Sequence, residues 1–207
     1  MQVKLVWATP DLEDEVAFCA RVSNPENQMN KETSPKLLKY LMKHKHWSPF
    51  EMANVCMEIE TTRDIARQIL RHRSFSFQEF SQRYAEVQSF DTRECRMQDA
   101  KNRQNSLNTQ DQELQNWWNA AQERIMVDAN FMYQAALNRG IAKEQARALL
   151  PEGMAVSRMY MNGTLRSWLH YIEVRTDPST QKEHRDVAEA CKTVLSVLCP
   201  NILGAFE

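Results

Sequence analysis

The segment Asn54-Val-Cys-Met-Glu-Ile-Glu-Thr-Thr-Arg-Asp-Ile-Ala-Arg-Gln-Ile-Leu-Arg-His-Arg-Ser-Phe-Ser-Phe-Gln-Glu-Phe-Ser-Gln-Arg-Tyr84 changes its hydrophobic period partway along and decides the fold class. Val55, Met57 and Ile59 alternate with Asn54, Cys56, Glu58 and Glu60, the pattern of a half-buried strand. From Thr62 the repeat lengthens. Ile65, Ala66, Ile69 and Leu70 form one helical face, while Arg63, Arg67 and Arg71 recur at four-residue spacing on another. Ser74 to Tyr84 is ambiguous, although the alternating Phe75 and Phe77 suggest extended structure. A strand running into a helix and then into an extended run predicts a mixed α/β chain.

Upstream, Val3, Leu5 and Trp7 alternate with polar or small residues and predict a short strand. Thr9-Pro10-Asp11 reads as cap, first helical residue and first-turn acid. Ser34-Pro35 repeats that signal before Leu37, Leu38 and Leu41, with His44 and His46 at or beyond the helix end. Downstream, Asp91 to Asn116 is strongly polar and reads as an exposed excursion within a single domain spanning 1–207. A long helix is expected through Trp117, Trp118, Ile125, Val127 and Phe131 to a stop at Gly140. A short helix carries Arg147 and ends near Pro151. Thr164 caps the next helix, where Leu165, Trp168, Leu169 and Ile172 pack while Arg166 and His170 share another face. In the last helix Val187, Ala190, Cys191, Val194, Leu195 and Leu198 fall at core spacing, with Pro200 after its end.

Within the opening segment, Arg71 to Tyr84 sets three adjacent basic side chains, a carboxylate, hydroxyls and a further arginine among Phe75, Phe77, Phe80 and Tyr84. A solvated basic face does not want those aromatics, and a packed core does not want Arg71, Arg73 and Arg83. The combination fits a pocket for a planar anion: aromatic walls remove a ring system from water, and guanidinium forks take phosphate or carboxylate oxygens in pairs. Taken alone, Arg71-His72-Arg73 would more often be a solvated helix end; the continuation through Glu79, Ser81, Arg83 and Tyr84 reverses that weighting. Ser81 follows no Ser-His-Asp order, and a hydroxyl hydrogen bond explains it more cheaply than a nucleophile.

Composition narrows the alternatives. Lysine plus arginine total 26 against 27 acids, so the net charge of -1 supplies no global field for nucleic acid and any anion site must be local. Only Gly140, Gly153, Gly163 and Gly204 occur, which leaves no Gly-x-Gly-x-x-Gly and no phosphate loop. A bound nucleotide would have its phosphates held by side chains. His44, His46, His72, His170 and His184 form neither a His-Glu-x-x-His pair nor a cluster with cysteine, so no metal site is expected. The odd count of 5 cysteines, without a Cys-x-x-Cys, suits reduced thiols in a cytoplasmic protein. No apolar run approaches membrane-spanning length and the N-terminal residues lack a signal-peptide core, so a soluble chain is expected.

Arg71, His72, Arg73, Ser76, Glu79, Ser81, Arg83 and Tyr84 match the signature Arg-His-Arg-x-x-Ser-x-Asn-Glu-x-Ser-x-Arg-Tyr of the flavin-dependent thymidylate synthases, with Gln78 in place of Asn. Elsewhere Cys19-Ala-Arg-Val-Ser23, His46-x-Ser48-Pro49-Phe50-Glu51, Ala66-Arg67-Gln68, Arg147-Ala-Leu-Leu-Pro151, Thr164-Leu-Arg166-Ser167 with His170, Arg175, and Gln181-x-Glu183-x-Arg185 resemble further elements of that family. Met52 replaces the usual final His of the turn, and Thr164 replaces Asn. Asp91 to Asn116 shows no match.

The resemblance implies an α+β subunit, with an antiparallel-rich sheet flanked by several helices, that assembles as a homotetramer with active sites between subunits. It implies conversion of deoxyuridylate (dUMP) to thymidylate, with methylenetetrahydrofolate giving the one-carbon unit and NADPH reducing FAD, the hydride source. Carried over by position, Ser48, Arg71, His72, Arg73, Glu79, Thr164, Arg166 and His170 would contact FAD. Gln68, Arg71, Glu79, Ser81, Gln82, Arg83, Arg147 and Arg175 would hold dUMP, with Arg175 as the catalytic arginine that polarises the uracil ring. Two other readings compete. A single-strand-binding module would use the same aromatics for stacking and arginines for phosphates, and salt-sensitive retention on single-stranded DNA would mark it. An inactive homologue would keep the flavin site but need not keep Arg147 and Arg175. Neither nucleic-acid nor membrane partners are expected.

Overall fold

The computed structural model describes residues 1–205, whose strands form a four-stranded sheet and a separate two-stranded ribbon. In chain order the elements are β1 (Gln2–Ala8), α1 (Leu12–Ala20), α2 (Ser34–Lys43), β2 (Asn54–Thr62), α3 (Arg63–Ile69), β3 (Ser76–Glu79), β4 (Arg96–Gln98), β5 (Ser106–Asn108), α4 (Gln112–Asn138), α5 (Lys143–Ala146), β6 (Val156–Thr164), α6 (Leu165–Arg175), α7 (Lys182–Leu198) and α8 (Pro200–Leu203). Short 3-10 turns cover Pro25–Asn27, Ser48–Glu51 and Arg147–Leu149. The main sheet runs β1-β2-β6-β3 and every pairing in it is antiparallel, as expected for an α+β chain.

The central pair is β2 with β6, in register from Asn54 opposite Thr164 to Thr62 opposite Val156. No strand is predicted at Val156–Thr164 by the sequence reading, yet β6 lies in the middle of the sheet. Its buried Ser157, Met159, Met161 and Gly163 alternate with Arg158, Tyr160 and Asn162, which a period-2 reading could have found. Val55, Met57, Ile59, Met159 and Met161 join Trp168, Leu169, Ile172, Val187, Cys191 and Leu195 in one apolar core. The sheet face therefore packs on α6 and α7. A second cluster of Val87, Tyr133, Ala136, Ala146, Leu150 and Ala155 ties the C-terminal part of α4 to α5 and the loop after the signature.

Several local expectations are corrected. Asp11, not Thr9, is the N-cap of α1; it adopts φ 46 and makes no side-chain cap, while the Thr9 hydroxyl accepts from the Asn54 N–H at 2.9 Å. Ser34 is the first helical residue of α2, behind Thr33. Leu5 and Trp7 stay exposed on β1, whose pairing with β2 slips between them at an irregularity. Arg63 does not share a solvated face with Arg67: it is buried while Arg67 is exposed. The polar excursion is real but structured, since β4 and β5 pair within it and α4 begins at Gln112, before Trp117. Pro200 opens α8 rather than merely ending α7.

Two glycines are required. Gly140 takes φ 80 after α4, the left-handed stop predicted there. Gly163 lies under the ring of Phe75, and a methyl group at Gly163 would overlap that ring. Phe75 in turn packs edge-on to Trp168 with ring centroids 4.9 Å apart. The start of the signature segment is thus clamped against β6.

Candidate active site

The residues singled out in the sequence fall into three neighbourhoods, distributed along the β2–β6 pair. The first lies at the Asn54/Thr164 end. There the turn Ser48–Glu51, the loop holding Ser74 and the start of α6 enclose a cavity of about 350 Å³. Trp47, Glu51, Ser74, Arg166 and His170 are among its lining residues. Glu51 organises this end: it accepts from Arg166 Nη1 at 2.8 Å and from the Thr164 hydroxyl at 2.8 Å. The Thr164 oxygen also accepts from the Ser167 N–H at 3.3 Å, the predicted N-cap of α6. Thr164 is therefore committed to holding the helix and Glu51 in place. Ser48 is exposed at the start of the turn, and His170 is exposed on the cavity wall. Arg71 and Arg73 are exposed just beyond α3, and neither has a carboxylate partner among the described residues.

The second neighbourhood sits where α3, α6 and α7 converge. Arg175 Nε donates to His72 Nε2 at 2.8 Å. Burial lowers the His72 pKa to about 4, and the charges of Arg175 and His170 add to the effect. The ring is consequently neutral near pH 7 and able to accept that bond. His184 lies beside it with ring centroids 6.2 Å apart and is fully buried. Burial, then the charges of Arg175 and His72, lower its pKa to about 3. Its Nδ1 is 3.3 Å from Gln68 Oε1. Gln68 Nε2 donates to Gln181 Oε1 at 2.7 Å.

The third neighbourhood occupies the Thr62/Val156 end. Arg63, Arg67, Gln82, Glu144, Arg147 and Glu152 are among the residues around a cavity of about 430 Å³. Glu79 Oε1 accepts from the Ser157 hydroxyl at 2.9 Å and lies 3.7 Å from Arg63 Nη1. Arg83 Nε donates to Glu144 Oε2 at 3.1 Å, and Arg147 Nε donates to the Glu144 carbonyl at 3.3 Å. Gln82 is buried, and its Nε2 has no hydrogen-bond partner among the described residues. A buried amide donor without a partner costs about 1–3 kcal/mol unless something accepts from it. Ser81 is half-buried, and its oxygen accepts from the Arg83 N–H at 3.4 Å.

The signature segment connects these places. Ser76 pairs with Asn162 near one end of β6, and Glu79 pairs with Met159 toward the other. No hydrogen bond or ion pair joins Arg83 or Arg147 to His72 or Arg175 among the described residues. Sequence reasoning missed Glu51 and Arg63 as site residues, although both stand within segments it singled out. It also missed His184, which sits inside the Gln181–Arg185 run. Among the described residues no group of histidine, cysteine and acidic side chains is arranged to hold a metal, and no helix is long and apolar enough to cross a membrane.

The residues present fit a flavin dinucleotide by the chemistry of their donors. Arg71 and Arg73 offer unpaired guanidiniums for phosphates, while His170, Ser74 and Trp47 give a cavity wall with polar and aromatic groups.

Comparison with known proteins bears on the chain as a whole. The family described as "Thymidylate synthase complementing protein" matches residues 4–201. A protein of Paramecium bursaria Chlorella virus 1, named a probable flavin-dependent thymidylate synthase, is 50% identical over 215 residues, covering 100% of this chain and 99% of that protein. A Synechocystis flavin-dependent thymidylate synthase is 49% identical over 192 residues, covering 93% of this chain and 88% of its own. Among solved structures, the UMP/dUMP methylase PolB from Streptomyces cacaoi, bound with 5-Br dUMP, superimposes with a TM-score of 0.86 at 29% identity. That match covers 99% of this chain and 93% of the other.

Proposed function

Because the chain belongs to the thymidylate synthase complementing protein family, matched over residues 4–201, we propose that it is a flavin-dependent thymidylate synthase acting on dUMP as a single domain. The observation that carries this reading is the cavity at the Thr62/Val156 end, where Arg67 and Arg147 stand beside the unpartnered amide of buried Gln82. A nucleotide monophosphate supplies an anion for Arg147, which has no carboxylate partner among the described residues. It also joins Glu152 as a partner for Arg67, 3.6 Å from that carboxylate, and gives that amide an acceptor.

The residue roles follow from position. Arg67, Arg83 and Arg147 attract the phosphate, with Arg83 and Arg147 steadied by Glu144. Ser81 and Gln82 offer neutral hydrogen bonds, and Glu79 is held in orientation by Ser157 and Arg63. Gln68 and Arg71 complete the substrate set. Arg175, fixed by its bond to neutral His72, presents a guanidinium that stabilises negative charge on the pyrimidine as hydride arrives. FAD, when bound, carries the hydride, reduced by NADPH, and methylenetetrahydrofolate gives the one-carbon unit. Ser48, Arg71, His72, Arg73, Glu79, Thr164, Arg166 and His170 would surround the flavin, with Thr164 acting through Glu51 and the cap of α6.

Self-association as a homotetramer is part of the proposal. On α4, Trp117, Ile125, Val127, Phe131 and Met132 are all more than half exposed, at 62%, 54%, 57%, 70% and 54%. Large apolar side chains exposed together on one helix favour burial against another copy. We place the assembled enzyme in the cytoplasm, with no nucleic-acid or membrane partner.

Tritium release from dUMP labelled at ring carbon 5 tests the reading. Release that needs FAD, NADPH and methylenetetrahydrofolate together is the expected result. No release from a protein shown to hold flavin would overturn it. A parallel reaction with UMP separates a strict deoxynucleotide enzyme from one that accepts both nucleotides, like the UMP/dUMP methylase PolB.

A further inference from the structure

A directed chain of hydrogen bonds runs from the polar excursion into the second neighbourhood, and its direction can be worked out from one end. Glu183 is bound by Arg96 Nη2 and lies 3.6 Å from Arg93 Nη1, so its carboxylate is anchored by two guanidiniums of the excursion. Burial alone would push the Glu183 carboxyl up, but its own backbone N–H, Gln181 and those two charges outweigh burial and hold it below the usual range. An ionised carboxylate only accepts. The Gln181 amide must therefore turn its NH2 toward Glu183 Oε2, at 2.9 Å, and its oxygen away. That oxygen accepts from Gln68 Nε2 at 2.7 Å. The Gln68 oxygen then faces His184 Nδ1 at 3.3 Å, so the imidazole must carry its proton on Nδ1. The other ring nitrogen, Nε2, is buried with no partner among the described residues, so nothing there competes for the proton. Each Gln68 amide atom spends one of its two hydrogen-bonding positions on this chain. One N–H and one lone pair remain, with their directions set.

We propose that His184 and Gln181 are positioning residues that fix the orientation of the Gln68 amide for substrate, and that Glu183 couples this orientation to Arg93 and Arg96 of the excursion. The inference rests on the reading of Gln68 as a dUMP-binding residue. Without Gln181 the amide is free to flip, because a neutral His184 can meet either amide atom by moving its proton, and half its orientations then present the wrong group. Without His184 the Gln68 oxygen loses the donor that holds it still. The excursion thereby pins the carboxylate from which the order propagates. Arg93 is itself pinned, donating to Asp64 Oδ1 at 2.7 Å, while its carbonyl accepts from Trp118 Nε1 at 2.8 Å and Gln122 Nε2 at 3.0 Å.

The test is calorimetric titration of dUMP into the full-length protein saturated with FAD, comparing wild type with His184→Leu, His184→Asn and Gln181→Ala. Leucine removes the donor at similar volume, asparagine keeps a donor where Nδ1 was, and Gln181 is exposed, so its replacement spares the core. His184→Leu and Gln181→Ala are each expected to weaken dUMP about tenfold, the scale of one hydrogen bond to a buried polar group. His184→Asn should stay within about threefold of wild type, and flavin content should be unchanged throughout. Gln68→Ala combined with Gln181→Ala should lose no more than Gln68→Ala alone. Wild-type affinity in Gln181→Ala, or additive losses in the double variant, overturns the inference and leaves the proposed function standing, even if His184→Leu fails to fold. A wild-type protein that does not bind dUMP overturns both.

Discussion

Arg175 Nε points at Nε2 of His72 across 2.8 Å, so the guanidinium is held by an imidazole that accepts rather than by a carboxylate. A carboxylate would neutralise the arginine; a neutral ring orients it and leaves its charge available to a ligand. Replacing Arg175 by alanine should therefore leave flavin binding intact while turnover drops by about a hundredfold or more. Flavin absorbance and tritium release measured on the same sample check this. Near-normal release would remove Arg175 from the proposed chemistry.

The two buried imidazoles make stability depend on acidity. His72 and His184 have folded pKa values lowered to about 4 and about 3, below the ordinary value of 6.5. Their stabilising contribution is fully present above pH 6.5, where folded and unfolded chains are both neutral at these rings. Below that, the unfolded chain takes up protons that the folded chain refuses, so stability falls as pH drops through the interval from 6.5 to 4 and on toward 3. The urea midpoint should decline steadily from pH 7 to pH 4, and His184→Leu should flatten that decline. A midpoint independent of pH for both proteins would contradict the assignment.

Gly163 admits the Phe75 ring against β6. That ring is wedged by Trp168 and Tyr171, with centroids 4.9 and 6.0 Å away, so it has little room to retreat. Gly163→Ala should cost about 1–3 kcal/mol in chemical denaturation and weaken flavin binding by shifting the loop that carries Arg73 and Ser74. Unchanged stability and flavin affinity would show that the ring moves freely.

Thr164 holds α6 and Glu51 through one hydroxyl. Thr164→Val should lose about 1 kcal/mol of stability and loosen Arg166, whereas Thr164→Asn, another good cap, should be close to neutral. Thermal denaturation separates the two. Equal losses would mean that side-chain shape, not the cap, matters at this position.

The sequence made legible whatever depended on chemistry concentrated in a short run. Arg71 to Tyr84 stood out because no core or solvated face wants both Phe75 and Arg73, and the structure sets Glu79, Gln82 and Arg83 at one end of the sheet and Ser74 at the other. β2 was legible because Met57 and Ile59 alternate cleanly with glutamates. β6 was hidden because methionine and glycine carry little strand preference, so Met159, Met161 and Gly163 gave alternation without propensity. The ribbon of β4 and β5 could not be seen, since strands of 3 residues with mostly exposed side chains leave no period to read. Arg63 was misplaced because spacing assigns a face but not what covers it; here Glu79 and Glu152 make burial of a guanidinium tolerable. The link from Gln68 to Gln181 spans 113 positions, and only the folded chain brings those two amides together.

The β2–β6 pair also acts as a ruler. Its strands are 9 residues long, so Thr164 and Val156 stand roughly 26 Å apart at about 3.3 Å per residue. A nucleotide monophosphate cannot bridge that span, so the cavity beside Arg147 and the cavity beside Arg166 in one copy cannot meet over the same pyrimidine. In the proposed assembly each copy lends its two ends to different sites. A protein crippled at Arg147 and another crippled at Arg166 are then each inactive alone, yet mixed subunits rebuild sites in which both ends are sound. Activity recovered on co-refolding the two variants would make the sheet a spacer between reaction centres, each copy serving two of them at once.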